Sequence, residues 1–545
     1  PESGRAGGDC SYLSRLPQML ALSTQPESVC SMRIGIDVGG THTDAVLMNG
    51  MEILCAHKAL TSSDVRQGII EALDRVMTEG RVDVTAIEAV MIGTTHFTNA
   101  VIERKQLSPT AIIRACLPTG SGLPPLCDWP TDIASALGNH GHMIGGGYMF
   151  DGRQIAPIDE TALDEAIADI IHSGVKSIAV SAAFSPADNT HELEIAARIR
   201  RRIPDANISM SHEIGRLGIL ERENAALLNA SLGELATKVV SNMEAALAER
   251  GLRCPFYISQ NDGTLMSAQF IARYPALTFS SGPTNSLRGA AVLSGMQDAL
   301  VVDIGGTTLD VGVLANGFPR ESNSHITVGG VRTNFRMPDI LPIGLGGGSL
   351  IADEGASVGP QSVGHRLVEE ALVFGGSTLT ATDIAVANGS VSVGQPARVQ
   401  TLDRAVVERA TQRIHRMIDE AIDKMRPSEA PVPVILVGGG AILVSRELAT
   451  ASSVIVPEHA GVANAIGAAI AQVGGEVEQL VSFSKHSRDR VLADMTREAQ
   501  AKAVAAGAEP KTLRVLDIEE TSVSYMDDDA ARIRIKVVGD LRHSP

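Results

Sequence analysis

Asp37 and Asp303 each stand two residues ahead of the same short turn, Gly-Gly-Thr. The first copy reads IDVGGTHTDAVL over 36–47 and the second VDIGGTTLDVGV over 302–313. In each, an apolar segment ends in Asp, passes one aliphatic residue, and breaks at two glycines. Glycine lets the backbone approach a ligand with no Cβ in the way. Successive N–H groups in such a turn form an anion-binding concavity. Gly39, Gly40 and Thr41 match Gly305, Gly306 and Thr307. The hydroxyls of Thr41, Thr43, Thr307 and Thr308 could add hydrogen bonds. A carboxylate before the turn would repel a bare phosphate. With a divalent cation between them, Asp37 and Asp303 become metal or metal-water ligands, so the pattern fits Mg2+-polyphosphate. The plain alternative is a hairpin in which Gly-Gly only supplies turn geometry. Two copies carrying Asp and Thr in register favour phosphate binding. Neither copy is a GxxxxGK[ST] loop, and neither opens a helix as a dinucleotide fingerprint does.

A third glycine element, LVGGGA over 436–441, runs an apolar strand into Gly438, Gly439 and Gly440. Bare backbone there would admit a sugar or a flat ring; the alternative is an ordinary loop of small residues. Substrate-side candidates are Thr94, Thr95, His96 and Asn99, which follow a short buried strand. His96 could act as acid or base near neutral pH, or serve structure alone. Glu221, Arg222, Glu223 and Asn224 read as a solvated first helical turn. Asn261 and Asp262 read as turn formers. His212 and His459 have no zinc-type spacing.

The elements that must position these residues alternate. Residues 33–38 and 44–48 predict a hairpin across the Gly-Gly turn. Helical spacing marks 65–80, 161–174, 191–204 and 403–425, and a longer stretch over 218–250 that would link two halves. Strands are expected at 89–95, 175–183, 256–263 and 431–444. This alternation predicts an α/β layer with buried parallel strands. Beyond about residue 481, a helix and a strand pair across an acidic turn suggest a small C-terminal α+β extension. Residues 1–31 lack periodicity and are expected to be a leader, a tag or disordered.

The 545 residues are 44% hydrophobic, 20% charged and only 3% aromatic, with a net charge of −17. That describes a globular chain of more than one domain. The acidic balance argues against a nucleic-acid surface. No apolar run is long enough to span a membrane. Six cysteines without a CxxC pair fit reduced thiols, and a cytoplasmic location is expected.

Two phosphate turns followed by a nucleoside loop resemble the superfamily of acetate and sugar kinases, actin and heat-shock ATPases. A closer resemblance, from Met32 to about Val473, is to the A-type subunit of the hydantoinase/oxoprolinase family. It is carried by GIDVGGTHTD (35–44), GTTHFTNAVIERK (93–105), SHEIG (211–215), ERENAALLNA (221–230), SQNDGTLMS (259–267), SSGPTNS (280–286), DIGGTTLD (303–310), IGLGGGSL (343–350), TATD (380–383), VGGGA (437–441) and VPEHAGVANAIGA (456–468). The segments 107–132 and 280–290, and the stretch after 358–364, depart from the family's usual pattern. The resemblance implies two duplicated actin-like (ribonuclease-H-like) halves around a nucleotide cleft, over 32–225 and 226–480, with 481–545 appended. It implies ATP and Mg2+ as cofactors, a cyclic amide or imide such as a hydantoin or 5-oxoproline as substrate, and a B-type partner subunit. A homo-oligomer is also expected. A small-molecule kinase and a non-catalytic nucleotide switch on the same fold are the alternatives.

Overall fold

The computed structural model describes residues 32–39, 42–60, 65–322, 325–483, 487–523 and 530–542. Its first hairpin joins strands Met32–Val38 and His42–Asn49, with Asp37 opposite Asp44. Its second joins Ala299–Ile304 and Leu309–Ala315, with Asp303 opposite Asp310. Both turns close alike. The Gly39 N–H donates to the His42 carbonyl at 3.0 Å, and the Gly305 N–H to the Thr308 carbonyl at 2.8 Å.

The duplication extends past the hairpins. In the first sheet, Met32–Val38 lies parallel to Ile87–Thr94, which lies parallel to Phe256–Ser259. In the second, Ala299–Ile304 lies parallel to Val432–Val437, which lies parallel to Ala451–Ile455. Each half therefore sets a hairpin beside two parallel strands, and the strand ends that carry Asp37 and Asp303 are equivalent. Apolar side chains fix this arrangement. Ile34, Ile36, Val90 and Ile92 pack in one core, and Val302, Ile304, Val434 and Leu436 in the other. Each such side chain contributes about 1.5–3 kcal/mol on burial. Helix Arg404–Met425 covers the second sheet with Ala410, Ile414, Ile418 and Ile422, an i, i+4 stripe. Asp403 caps it by accepting from the Ala405 N–H.

A four-stranded parallel sheet, in the order His140–Gly145, Thr110–Leu117, Ser177–Ala182 and Asn207–Met210, is inserted before Phe256–Ser259 returns the chain to the first sheet. The stretch expected as one helix over 218–250 is two, Ile219–Ser231 and Gly233–Glu249. A boundary at 225/226 would cut the first of these. The first half is also discontinuous, because Thr264–Ser267 pairs with Gln472–Ser482 in its sheet. The C-terminal strands Arg514–Ser522 and Ala530–Gly539 continue that sheet to nine strands rather than standing apart. Strand periodicity shows which residues pair but not with what, so the sequence placed these strands by chain order alone. The acidic turn expected between the last two strands, and residues 1–31, lie outside the described residues. Among the described residues no helix is long and apolar enough to cross a membrane.

The residues expected to form a solvated first turn are buried instead. Glu221 is 8% exposed, Arg222 1%, Glu223 0% and Asn224 1%. Glu223 receives Nε and Nη2 of Arg114, the former at 2.6 Å, and so ties helix Ile219–Ser231 to the inserted sheet. The Trp129 indole N–H donates to Asn224 Oδ1 at 2.7 Å. Removing one member of such a pair strands a buried charge. Glu223→Ala is expected to lower unfolding free energy by about 3–5 kcal/mol in urea denaturation. A loss below about 1 kcal/mol would show that Arg114 finds another partner.

Candidate functional site

The two hairpins direct their aspartates into one space. Asp37 is 3% exposed and Asp44 2%. Burial pushes the Asp37 carboxyl up, and hydrogen bonds from Asn285 and Asn464 oppose it. Repulsion from Asp44 and Asp303 adds to burial and leaves the carboxyl at about 6. The Asp303 carboxyl is also raised by burial, against the Ser286 hydroxyl and the Lys58 ammonium. Burial and the Asp303 charge push Asp310 up to about 7. Lys58 is committed to Asp44, with Nζ 2.6 Å from Oδ1. Four carboxylates thus gather near one lysine. This excess of negative charge in a half-buried space suits a divalent cation. Among the described residues no three His, Cys, Asp or Glu converge closely enough to hold a metal unaided. Water and phosphate oxygens would complete the shell of a cation held by Asp37 and Asp303.

The glycine elements surround this space. Gly305 and Gly306 accept hydrogen bonds from Gly347 and Gly348, so the loop 343–350 braces the second turn at 3.0 and 2.7 Å. Gly438 adopts φ +83°, and a Cβ there would stand 2.3 Å from Asp303 Oδ1. Its strand runs parallel to that of Asp303, which places Gly438 and Gly440 against the turn. Gly439 faces open space. The second turn and the third glycine element, far apart in sequence, are therefore neighbours.

The remaining expected site residues divide. Gly39 closes the first turn. Gly40 and Thr41 lie outside the described residues. Thr43 is fully buried within its strand and occupies the position that Leu309 takes in the second copy. Thr307 is half-buried and Thr308 exposed. His96 opens helix His96–Glu103 at the end of the strand beside the first turn, where Thr95 Oγ1 donates to the Val38 carbonyl at 3.5 Å. Burial holds the His96 imidazole below its usual value, so it is neutral near pH 7 and able to accept a proton. Asp262 is engaged elsewhere. Burial pushes its carboxyl up, but Lys536 at 2.8 Å and hydrogen bonds from Thr264 bring it down to about 2. Lys58, Asn285, Ser286, Asn464 and the bracing loop 343–350 carried no role in the sequence reading. All but Lys58 lie within motifs that carried the family resemblance.

The fold and site define a duplicated, actin-like α/β protein in which each half carries one of the two aspartate–glycine hairpins. The chain belongs to the hydantoinase/oxoprolinase family. Residues 33–203 match the hydantoinase/oxoprolinase N-terminal region and residues 222–400 the hydantoinase/oxoprolinase domain. The alpha subunit of caprolactamase from Pseudomonas jessenii is 25% identical over 397 residues, 66% of this chain and 55% of that one. The gamma subunit of acetophenone carboxylase from Aromatoleum aromaticum is 25% identical over 395 residues, 66% and 53% of the two chains. The matched region thus spans about half the length of these relatives. Among solved structures, ATP-dependent caprolactamase from Pseudomonas jessenii superposes with a TM-score of 0.72 at 18% identity, over 94% of this chain and 88% of that one. Nucleotide-free acetone carboxylase superposes with a TM-score of 0.66 at 16% identity, with the same coverages. These superpositions show the shared fold. The ATP-dependent enzymes among these relatives support ATP use by the family.

A carboxyl raised in the folded protein binds its proton more tightly there than in the unfolded chain. Its stabilising contribution is present at low pH and is lost as pH rises from about 4 through about 7 for Asp310. Without divalent cations, Asp310→Asn should therefore be more stable than the parent at pH 8, on the order of 1–3 kcal/mol after allowance for partial exposure. Its advantage should shrink at pH 5. Urea denaturation at the two pH values measures this, and an equal difference at both would contradict it.

Proposed function

We propose that this chain binds Mg2+-ATP between its two hairpins and uses it to open a cyclic amide or imide, a hydantoin, 5-oxoproline or a related lactam. The observation that carries the reading is the convergence of Asp37 and Asp303, one from each half, beside glycine turns in one cleft. Family membership and the lactam-opening relative add weight. An amide carbonyl resists water because of its resonance. Transfer of the γ-phosphoryl group to the carbonyl oxygen would give an activated imidate and ADP. Water would then add to the carbon, the ring C–N bond would break to release the amine and leave an acyl phosphate, and a second water would cleave that to carboxylate and phosphate. Bound Mg2+ would supply charge neutralisation to the phosphates.

The chain's own residues bind, orient and move protons. Because the Gly39 and Gly305 N–H groups close the turns, the N–H groups of Gly40 and Gly306 would hold phosphate oxygens, with the Thr41, Thr43, Thr307 and Thr308 hydroxyls as further donors, of which Thr43 would reach a ligand only by leaving its buried position. Asp37 and Asp303 would address the cation directly or through water. Gly438, Gly439 and Gly440 would line the nucleoside. Neutral His96 would take a proton from the attacking water, as general base. Alignment supplies most of the acceleration in such a site. The word "subunit" in both relatives' names supports a B-type partner that completes the hydrolytic half of the reaction.

Purified protein, alone and with a candidate partner subunit, should consume ATP in proportion to added lactam, with the ring-opened product seen by mass spectrometry. Asp303→Asn should abolish this turnover while leaving the thermal transition in place. ATP consumption driven by a ketone and bicarbonate, with no response to lactams, would move the chain to the carboxylase side of its family and end this proposal.

A further inference from the structure

The helix Ser281–Ser294 crosses behind both hairpins, and two adjacent residues on it reach one aspartate from each half. Asn285 Nδ2 donates to Asp37 Oδ1 at 3.2 Å. The next residue, Ser286, lies close enough to the Asp303 carboxyl for its hydroxyl to oppose the upward push of burial. The second Asp37 oxygen is held from elsewhere, since Asn464 Nδ2 donates to Oδ2 at 3.0 Å. Asn464 lies on helix Ala463–Ala469, which packs backbone-to-backbone on Ser281–Ser294. A Cβ at Gly289 would stand 1.9 Å from the Ala463 carbonyl oxygen, and one at Gly467 1.9 Å from the Asn285 carbonyl oxygen. Neither helix can shift without the other. The strand behind Asp37 is cleared for these bonds as well. A Cβ at Gly93 would lie 2.0 Å from Asp37 Oδ1 and 2.4 Å from Asn285 Nδ2.

Amide and hydroxyl donors do something here that a cation would not. Each orients a carboxylate through one lone-pair direction and leaves its negative charge uncancelled. Lys58 shows the contrast, since its ammonium consumes the charge of Asp44. Asn285 is 0% exposed and Ser286 3%, so their positions are fixed by packing rather than by solvent.

We propose that Asn285, Ser286 and Asn464 are positioning residues that hold Asp37 and Asp303 in one rigid frame, so that carboxylates from the two halves address a single metal–phosphate group. The inference rests on the nucleotide reading above and adds how the two halves are kept in register. It needs no contact between these three residues and any ligand.

Asn464 is half-buried and tolerates substitution better than Asn285. The test is Mn2+ binding in the presence of ADP, by calorimetry, on the full chain of the parent, Asn464→Ala, Ser286→Ala and Asn464→Gln. Both alanine variants should lose Mn2+ affinity by ~10-fold, the scale of residues that orient metal ligands. ADP affinity without metal and the thermal midpoint should be unchanged. Asn464→Gln, which keeps the amide donor, should recover part of the loss. In turnover, kcat should fall and KM for the lactam should stay. Parent-like Mn2+ affinity and kcat in both alanine variants would overturn the positioning role and leave the nucleotide reading standing. Failure of the parent to bind Mn2+ with ADP would remove both.

Discussion

The burial of carboxylates at the two hairpins, Asp37 and Asp44 on one and Asp303 and Asp310 on the other, is the constraint around which the rest is arranged. Two carboxylates from opposite halves share a space that burial has largely emptied of water, with Asp44 and Asp310 close by. Such crowding costs folding free energy, and Lys58 relieves only part of it. The cost is carried by two well-filled cores and by helices that cannot separate. Proteins keep an unfavourable cluster of this kind where a cation or a changing charge is part of the work. Two glycines beside it, Gly93 and Gly438, have the same explanation. Backbone must come close to the two acids, and Cβ atoms at Gly93 or Gly438 would collide with them.

Duplication explains how such a geometry could be built twice and used once. Each half sets a hairpin beside two parallel strands and ends its first strand in Asp. The copies then diverge. Among the described residues, Asp44 has a lysine partner and Asp310 has none. Thr43 is buried where the second copy has Leu309. Asp37 is gripped by two amides, whereas Asp303 meets a hydroxyl from the same helix that supplies one of them. The halves are therefore equivalent in fold and unequal in electrostatics, as the proposed polyphosphate site would require if it distinguishes the two ends of its ligand.

Much of this was legible in the sequence, and the limits have physical causes. Local signals were accurate. The helix expected over 65–80 is Val65–Gly80, and the hairpins fall where glycine breaks two apolar runs. Non-local choices were not legible. Nothing in Arg514–Ser522 announces that it ends a nine-stranded sheet begun near residue 32, since pairing partners leave no trace in a single strand's pattern. The ERENAA segment misled for a related reason. Four polar residues at a helix start suit solvent unless Arg114, Trp129 and other distant groups arrive to satisfy them. Asn285 and Asn464 went without roles because an asparagine's use depends on which carboxylate lies opposite, 248 and 427 residues away in the chain.

The charge distribution also settles how a phosphate could enter. The chain carries a net −17, and Lys58, beside these acids, is already paired with Asp44. Long-range attraction therefore works against an anion. What remains is short-range: backbone N–H groups at the turns, which act within hydrogen-bonding distance, and carboxylates that favour a cation. A bare triphosphate gains the first and suffers the second, whereas its magnesium complex gains both. Under the proposed reading, selectivity for the metal-bound nucleotide would follow from placing neutral donors beside uncancelled acids. Replacing either amide of the Asp37 grip by a fixed positive charge would weaken that selectivity even as it relieved the repulsion.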